Sequence, residues 1–237
     1  MRKILILPVL SAVLFGAACG DGGGSTDVET TANVRFFNAT TEMTGSGGFT
    51  TNGQFATGSA LAFSQATSTC AKVEAGSTSI GFGAANAGGT GLSGSALATL
   101  NSQTLAAGGN YIVAATGSAA SPTLFMFDNN FSGSLGTNQA AVRFVNLVPV
   151  TESLATHLNV VKGPFGGEFL GNNMTLGEAT TFTTATSGSN EYTILRGKQT
   201  VLSGSDATLN FQAGTVNTIA IVQNASGGFQ LINIPRC

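Results

Sequence analysis

Charge is what this sequence has least of: nine Lys and Arg and eleven Asp and Glu in 237 residues, or 8%, against about 25% in ordinary soluble domains. Coiled coils, long solvated helices and basic nucleic-acid surfaces all need charges that are missing here, so no nucleic-acid partner is expected. Tryptophan is absent and histidine occurs once, as His157. Serine catalysis needs a base, almost always His. The one candidate lies in the alternating run Leu154-Ala155-Thr156-His157-Leu158-Asn159-Val160 and reads as a surface strand residue, and no Gly-x-Ser-x-Gly elbow accompanies it. Three cysteines and this histidine contain no close ligand pair, so no zinc site is assigned. Asp128-Asn129-Asn130 brings one carboxylate where a calcium loop brings several, and it reads as a turn. Gly81-Phe82-Gly83-Ala84-Ala85-Asn86 begins like a dinucleotide fingerprint but lacks the βαβ setting, and it too reads as a turn. None of the eleven acids is marked by context as half of a glycosidase pair. The sequence therefore assigns no catalytic, metal or cofactor-binding residue and no cofactor.

What is present is apolar and turn-rich. Hydrophobic residues make up 42% and glycines number 33; mean hydropathy is +0.26. That is enough to bury a core, and short runs of Val, Ile, Phe and Thr punctuated by Gly, Asn and Ser indicate strands joined by tight turns.

The first eighteen residues read as an export signal: Arg2 and Lys3, an apolar stretch from 4 to 18, then Cys19. The stretch is short for a membrane span, which takes about 20 residues. Residues 19–31, opening Cys19-Gly20-Asp21-Gly22-Gly23-Gly24, read as a flexible tether. Gly16-Ala17-Ala18 before Cys19 resembles the lipobox of bacterial lipoproteins, with Gly16 where that motif usually has Leu. The resemblance implies lipid attachment at Cys19, and multiple acyl chains suffice for stable anchoring. Gly20, not an acid, follows the cysteine, which by the same resemblance favours the outer membrane or cell surface over inner-membrane retention. Plain secretion is the alternative. The processed chain loses two of its nine basic residues and keeps all eleven acids, a formal charge of −4 that suits neither nucleic acid nor anionic lipid.

With Cys19 lipidated, Cys70 and Cys237 are the remaining thiols. An oxidising compartment favours their pairing as a disulfide, the alternative being two separate buried thiols.

Val34-Arg35-Phe36-Phe37-Asn38 returns as Val142-Arg143-Phe144-Val145-Asn146, 108 residues later. Leu105-Ala106-Ala107-Gly108 before Tyr111-Ile112-Val113 is echoed by Phe211-Gln212-Ala213-Gly214 before Thr218-Ile219-Ala220. These echoes predict two tandem immunoglobulin-like antiparallel β-sandwiches: repeat 1 over 32–130, a linker over 131–139 and repeat 2 over 140–237, with about seven strands each. Strands are expected at 59–64, 69–73, 78–82, 96–105 and 110–116, and at 154–161, 179–184, 191–196, 207–211 and 216–222. Two separate cores follow from this division, so that residues 27–130 fold alone and a cut in the linker leaves halves that part on reduction. Residues 105–113 are similar to the tyrosine corner of such sandwiches. In the opening strand Val34, Phe36 and Asn38 share one face and Arg35 and Phe37 the other. Arg35 and Arg143 are read as strand arginines laying their stems on apolar surface with their heads in solvent or on a nearby Glu.

These motifs resemble those of bacterial exported proteins that carry the domain of unknown function 4397. There an opening V-R-F-x-N strand, a middle V-x-A-G segment, here Val73-Glu74-Ala75-Gly76, and a later L-x-A-G-x-x-Y strand, here Leu105 to Tyr111, recur in tandem behind lipoprotein signals. The likeness covers 32–130 more fully than 140–237. It implies fold and no chemistry. The expectation is a non-catalytic cell-envelope binding or structural module, held to the membrane through its lipid anchor, with an envelope protein or polysaccharide as partner. The alternatives are a carbohydrate-active enzyme, which needs two convergent carboxylates, and a surface-polymer subunit, which needs exposed unpaired strand edges.

Overall fold

A computed structural model of the chain describes residues 29–41, 43, 45–149, 157–164 and 166–237. The signal, most of the tether and Cys19 lie outside the described residues. The fold is all-β. The first half holds β1 (Thr31–Thr41), β2 (Gly47–Thr51), β3 (Gln54–Phe55), β4 (Gln65–Ala66), β5 (Ala71–Glu74), β6 (Gly76–Ala84), β7 (Ala98–Leu105), β8 (Asn110–Ser118) and β9 (Ser121–Asp128). The second holds β10 (Gln139–Asn146), β11 (Leu158–Lys162), β12 (Glu168–Met174), β13 (Thr183–Thr186), β14 (Gly188–Arg196), β15 (Gln199–Leu202), β16 (Thr208–Phe211), β17 (Val216–Gln223) and β18 (Phe229–Pro235), with a 3-10 turn at Gly204–Ala207.

Each half folds into two sheets. In the first, an inner sheet of order β4-β1-β8-β9, with β5 also on β1, faces an outer sheet β3-β2-β6-β7. In the second, the inner sheet is β13-β10-β17-β18 and the outer β12-β11-β14-β15, with β16 on β14. Pairing is antiparallel except once per half, where β1 runs parallel to β8 and β10 parallel to β17. The twin motifs occupy equivalent registers, Val34 opposite Tyr111 and Val142 opposite Asn217.

Alternation along β1 explains the layers. Val34 and Phe36 point into the sandwich, where Phe36, Phe49 and Phe82 pack in tilted pairs at centroid spacings of 4.8 Å. In the second half Phe144 and Phe211 pack edge-on against Tyr192, at 4.8 and 6.4 Å. The opposite face of β1 is buried as well. Phe37, Ala39, Ile112, Ala114 and Phe127 pack on Val145, Leu147, Ala220, Val222 and Ile234, so the inner sheets lie face to face and the molecule has a third core between its halves. Each large apolar side chain there contributes about 1.5–3 kcal/mol. Gly177, at φ +83°, lets the halves approach: a Cβ on it would lie 2.1 Å from Cε1 of Phe125.

The structure departs from the sequence reading at definite places. Among the described residues each half has nine strands where about seven were expected. β2, β3, β4, β12 and β15 are additional. β2 begins Gly47-Gly48, which carries no strand signal, yet the Phe82 ring lies 2.4 Å from where a Gly47 Cβ would be, so the glycine makes room for that ring. Residues 59–64 are not a strand, and only Leu61 bridges Gly47 there. The glycine-rich run from Gly81 continues β6 to Ala84 and is not a turn. His157 precedes β11 and is exposed, and residues 151–156 of that expected strand lie outside the described residues.

Candidate functional site

The motif asparagines act within the fold. Buried Asn38 donates from Nδ2 to the Leu61 carbonyl at 2.8 Å, while its Oδ1 accepts from the Thr40 backbone N–H and hydroxyl. Asn146 donates to the Met174 carbonyl at 3.0 Å and accepts the Val148 N–H. Each ties the end of its inner strand to the segment crossing over the sandwich, and its own buried amide is satisfied there.

The motif arginines are buried too, contrary to the reading that put their heads in solvent or on a Glu: Arg35 is 8% exposed and Arg143 7%. They share a face with Phe37 and Val145 and so point toward the seam between the halves, a position only sheet stacking creates. Arg35 donates from Nη1 to the carbonyls of Thr67 and Ser68, and its Nε is buried with no partner. Arg143 donates from Nε to Thr218 Oγ1 at 3.0 Å and from Nη2 to Asn129 Oδ1 at 3.4 Å, and lies over the Phe182 ring at 4.7 Å. Burial lowers its pKa to about 10, opposed by the charge of Asp128. Both are seam-forming side chains. A cation over an aromatic face in a desolvated site is favourable, which accounts for Phe182 beside Arg143.

Tyr111 closes the corner expected of it, its Oη accepting the Ala106 N–H at 2.9 Å. In the second half Asn217 stands there, donating to Thr215 Oγ1 at 2.9 Å and accepting from Asn233 at 3.0 Å. Residues 32–157 match the model of the family named domain of unknown function (DUF4397). The chain belongs to this family. No curated protein matches it. The DUF4397 match starts within β1 and runs through β10 to His157, so it takes in both strands that carry the twin motif.

Around this frame, Cys70 and Cys237 form a disulfide with Cα atoms 5.8 Å apart. Asp128 accepts from Asn130 through Oδ1, and Asn130 in turn accepts the Asn110 N–H; the cluster holds the end of β9. Among the described residues no three His, Cys, Asp or Glu gather as metal ligands. Clefts open at the surface among the described residues, three of them well formed. One of about 430 Å³ lies where the halves meet, between Thr41, Met43 and Phe63 on one side and Asn224, Ala225 and Ser226 on the other. A second, about 360 Å³, adjoins the disulfide at Asn110, Arg236 and Cys237. A third, about 380 Å³, opens on the first outer sheet by Phe55 and Leu92. Among the described residues that line them there is no Asp or Glu. Sequence reading missed the first because its two walls are some 180 positions apart in the chain and meet only through the stacking of β1 on β17.

Proposed function

We propose that this DUF4397 protein is a non-catalytic binding or structural module of the cell envelope. In this reading residues 1–18 export it, lipid on Cys19 holds it at the outer membrane or cell surface, with plain secretion as the other route, and the second half is a further copy of the domain. The observation that carries the non-catalytic part is the inward use of the motif residues. Asn38, Asn146, Arg35, Arg143 and Tyr111 are engaged with backbone, hydroxyls or rings of the fold, and the described residues of the three clefts above include no carboxylate pair of the kind glycoside hydrolysis needs. The polymer-subunit alternative is weakened by the edges. β3 and β4 are two residues long, β7 and β12 pair through register shifts, and β9 and β18 contain Pro122 and Pro235, devices that discourage edge-to-edge pairing.

The test is fractionation with capture. Wild-type protein should partition with detergent-solubilised membranes and Cys19→Ala should become soluble. The mature protein, immobilised, should retain an envelope protein or polysaccharide. A wild type that is soluble with an unmodified Cys19 overturns the anchoring, and turnover of an envelope glycan by the purified protein overturns the non-catalytic reading.

A further inference from the structure

We infer that the cleft on the outer face of the first sandwich is the binding site of this module and that it takes a neutral sugar residue of an envelope glycan; the inference rests on the binding reading above and names its site and ligand.

Glycines build the site. β6 and β14 are equivalent strands, since Gly76 pairs with Leu105 and Gly188 with Phe211, the two residues that open the second sequence echo. In the first outer sheet Gly48 stands opposite Gly83 and Thr50 opposite Gly81; in the second the same registers hold Asn159 opposite Leu195 and Val161 opposite Thr193. Where the second half has buried side chains at all these places, the first half has three glycines and a threonine. Phe55 and Leu92 therefore meet above Gly48 and Ala96 passes above Gly81, each with an atom 3.3 Å or less from where a Cβ would stand. The cleft opens between them, with Thr50 and Gly53 on one side and Gly91, Gly94 and Ser95 on the other. Both walls are pinned. Asn52 donates its N–H to the Ser79 carbonyl at 2.8 Å and accepts the Ser79 N–H on Oδ1 at 2.9 Å, which fixes the turn carrying Gly53 and Phe55. Opposite, the Ser93 and Leu97 N–H groups donate to the Ala84 and Phe82 carbonyls at 2.9 and 2.8 Å and hold residues 94–96 at both ends. Both walls, and the chain on either side of them, lie within the described residues 45–149.

The chemistry of this face selects the ligand. At about 380 Å³ the cleft falls within the range of small-ligand sites, about 300–1,000 Å³. The half-buried Phe55 ring and Leu92 give it an apolar side. Thr50 and the exposed Ser95 offer hydroxyls that make no hydrogen bond among the described residues. Charge is missing from the whole layer: from Gly45 to Ala71 and from Ala75 to Phe127 the sequence holds no Lys, Arg, Asp, Glu or His. Those spans contain β2, β3, β6, β7 and the segment 85–97. The strands of the second outer sheet, by contrast, carry Lys162, Glu168, Glu191 and Arg196. Neutrality thus belongs to the face that bears the cleft, and that face offers no counter-charge to offset the desolvation of a charged ligand. A ring to stack against one side of a sugar, hydroxyls for its edge, and a neutral surround match a neutral pyranose. The open mouth admits a residue that is part of a chain.

The experiment is titration of the folded protein, residues 19–237, with chitotriose, maltotriose and mannotriose, followed by NMR amide shifts and calorimetry, with polygalacturonate as the acidic control. At least one neutral trisaccharide should shift residues 50–55 and 91–96 and leave the equivalent registers 159–162 and 193–195 of the second half unmoved. Ser95→Trp, on an exposed bend, closes the mouth and should weaken that binding at least tenfold. Thr50→Val keeps the shape, loses the hydroxyl, and should weaken it severalfold. Unchanged melting temperatures in both variants separate these losses from unfolding. Sugar binding that survives both substitutions overturns the site. Shifts at the cleft with polygalacturonate alone, or with none of the four, overturn the ligand class. Retention of an envelope component as strongly by immobilised Ser95→Trp as by wild type overturns the site and leaves the binding reading standing. Failure of wild type to retain any envelope component overturns the reading beneath both.

Discussion

Phe182 occupies in the second half the register position that Cys70 occupies in the first. Val34 pairs with Ala71 and Val142 with Thr183, so the residues just before those partners are equivalent. Each reaches across to the segment following the other half's last strand: Cys70 bonds Cys237, and Phe182 packs edge-on against Phe131 at 5.6 Å. The seam is thus closed at one corner by a covalent bond and at the related corner by an aromatic pair, with the third core between them.

This arrangement alters what cleavage of residues 131–138 should do. A third core holds sheets together without a covalent link, so protein nicked there and then reduced should still elute as one species from a gel-filtration column in native buffer, and separate in denaturant. Parting of the halves on reduction alone would show the seam to be weak. The disulfide, with a sequence separation of 167, should contribute up to about 5 kcal/mol through the unfolded chain, read as a lowered melting temperature of Cys70→Ser/Cys237→Ser.

Asn38→Ala and Asn146→Ala should each destabilise by about 1–3 kcal/mol, because each removes buried hydrogen bonds from the side-chain amide to a carbonyl and a backbone N–H. Urea unfolding checks this. Losses near zero would mean that water replaces the side chain.

The two tyrosines should respond with opposite signs. Tyr111→Phe removes the acceptor of the Ala106 N–H and should lose about 0.5–1.5 kcal/mol. Tyr192 is fully buried with its Oη unpartnered, so Tyr192→Phe should stabilise by about 1 kcal/mol. Burial also raises the Tyr192 pKa to about 12 from 10.0. A raised folded-state value means the unfolded chain releases its proton first, so this stability is intact below pH 10 and is lost as pH climbs through about 12. Wild type should therefore lose up to about 2–3 kcal/mol relative to Tyr192→Phe across that window. Arg143, its pKa lowered by burial, acts with the opposite sign in the same range and cancels in the comparison.

Gly177→Ala should open the seam without disturbing either sandwich. The added methyl meets the Phe125 ring at 2.1 Å, and φ of +83° strains any side chain. A loss of at least 2 kcal/mol is expected, with part recovered in the double variant with Phe125→Ala. Absence of such coupling would place the effect in the local turn.

The sequence by itself determined the strand class, the twin motif strands and their faces, the tyrosine corner and the partner of Cys70, since period-two alternation, turn residues and cysteine parity act locally or by count. It left β2 and β12 illegible, because a Gly-Gly start and an Asn-rich edge carry little strand signal until neighbours pack on them. It also misplaced the arginine heads. A β-strand shows from its own residues that Arg35 and Phe37 share a face; whether that face meets water or another sheet depends on residues about 108 positions away. Only the stacking of the two inner sheets decided that the arginines are buried, that a third core joins the halves, and that Thr41, Met43 and Phe63 meet Asn224, Ala225 and Ser226 in one cleft.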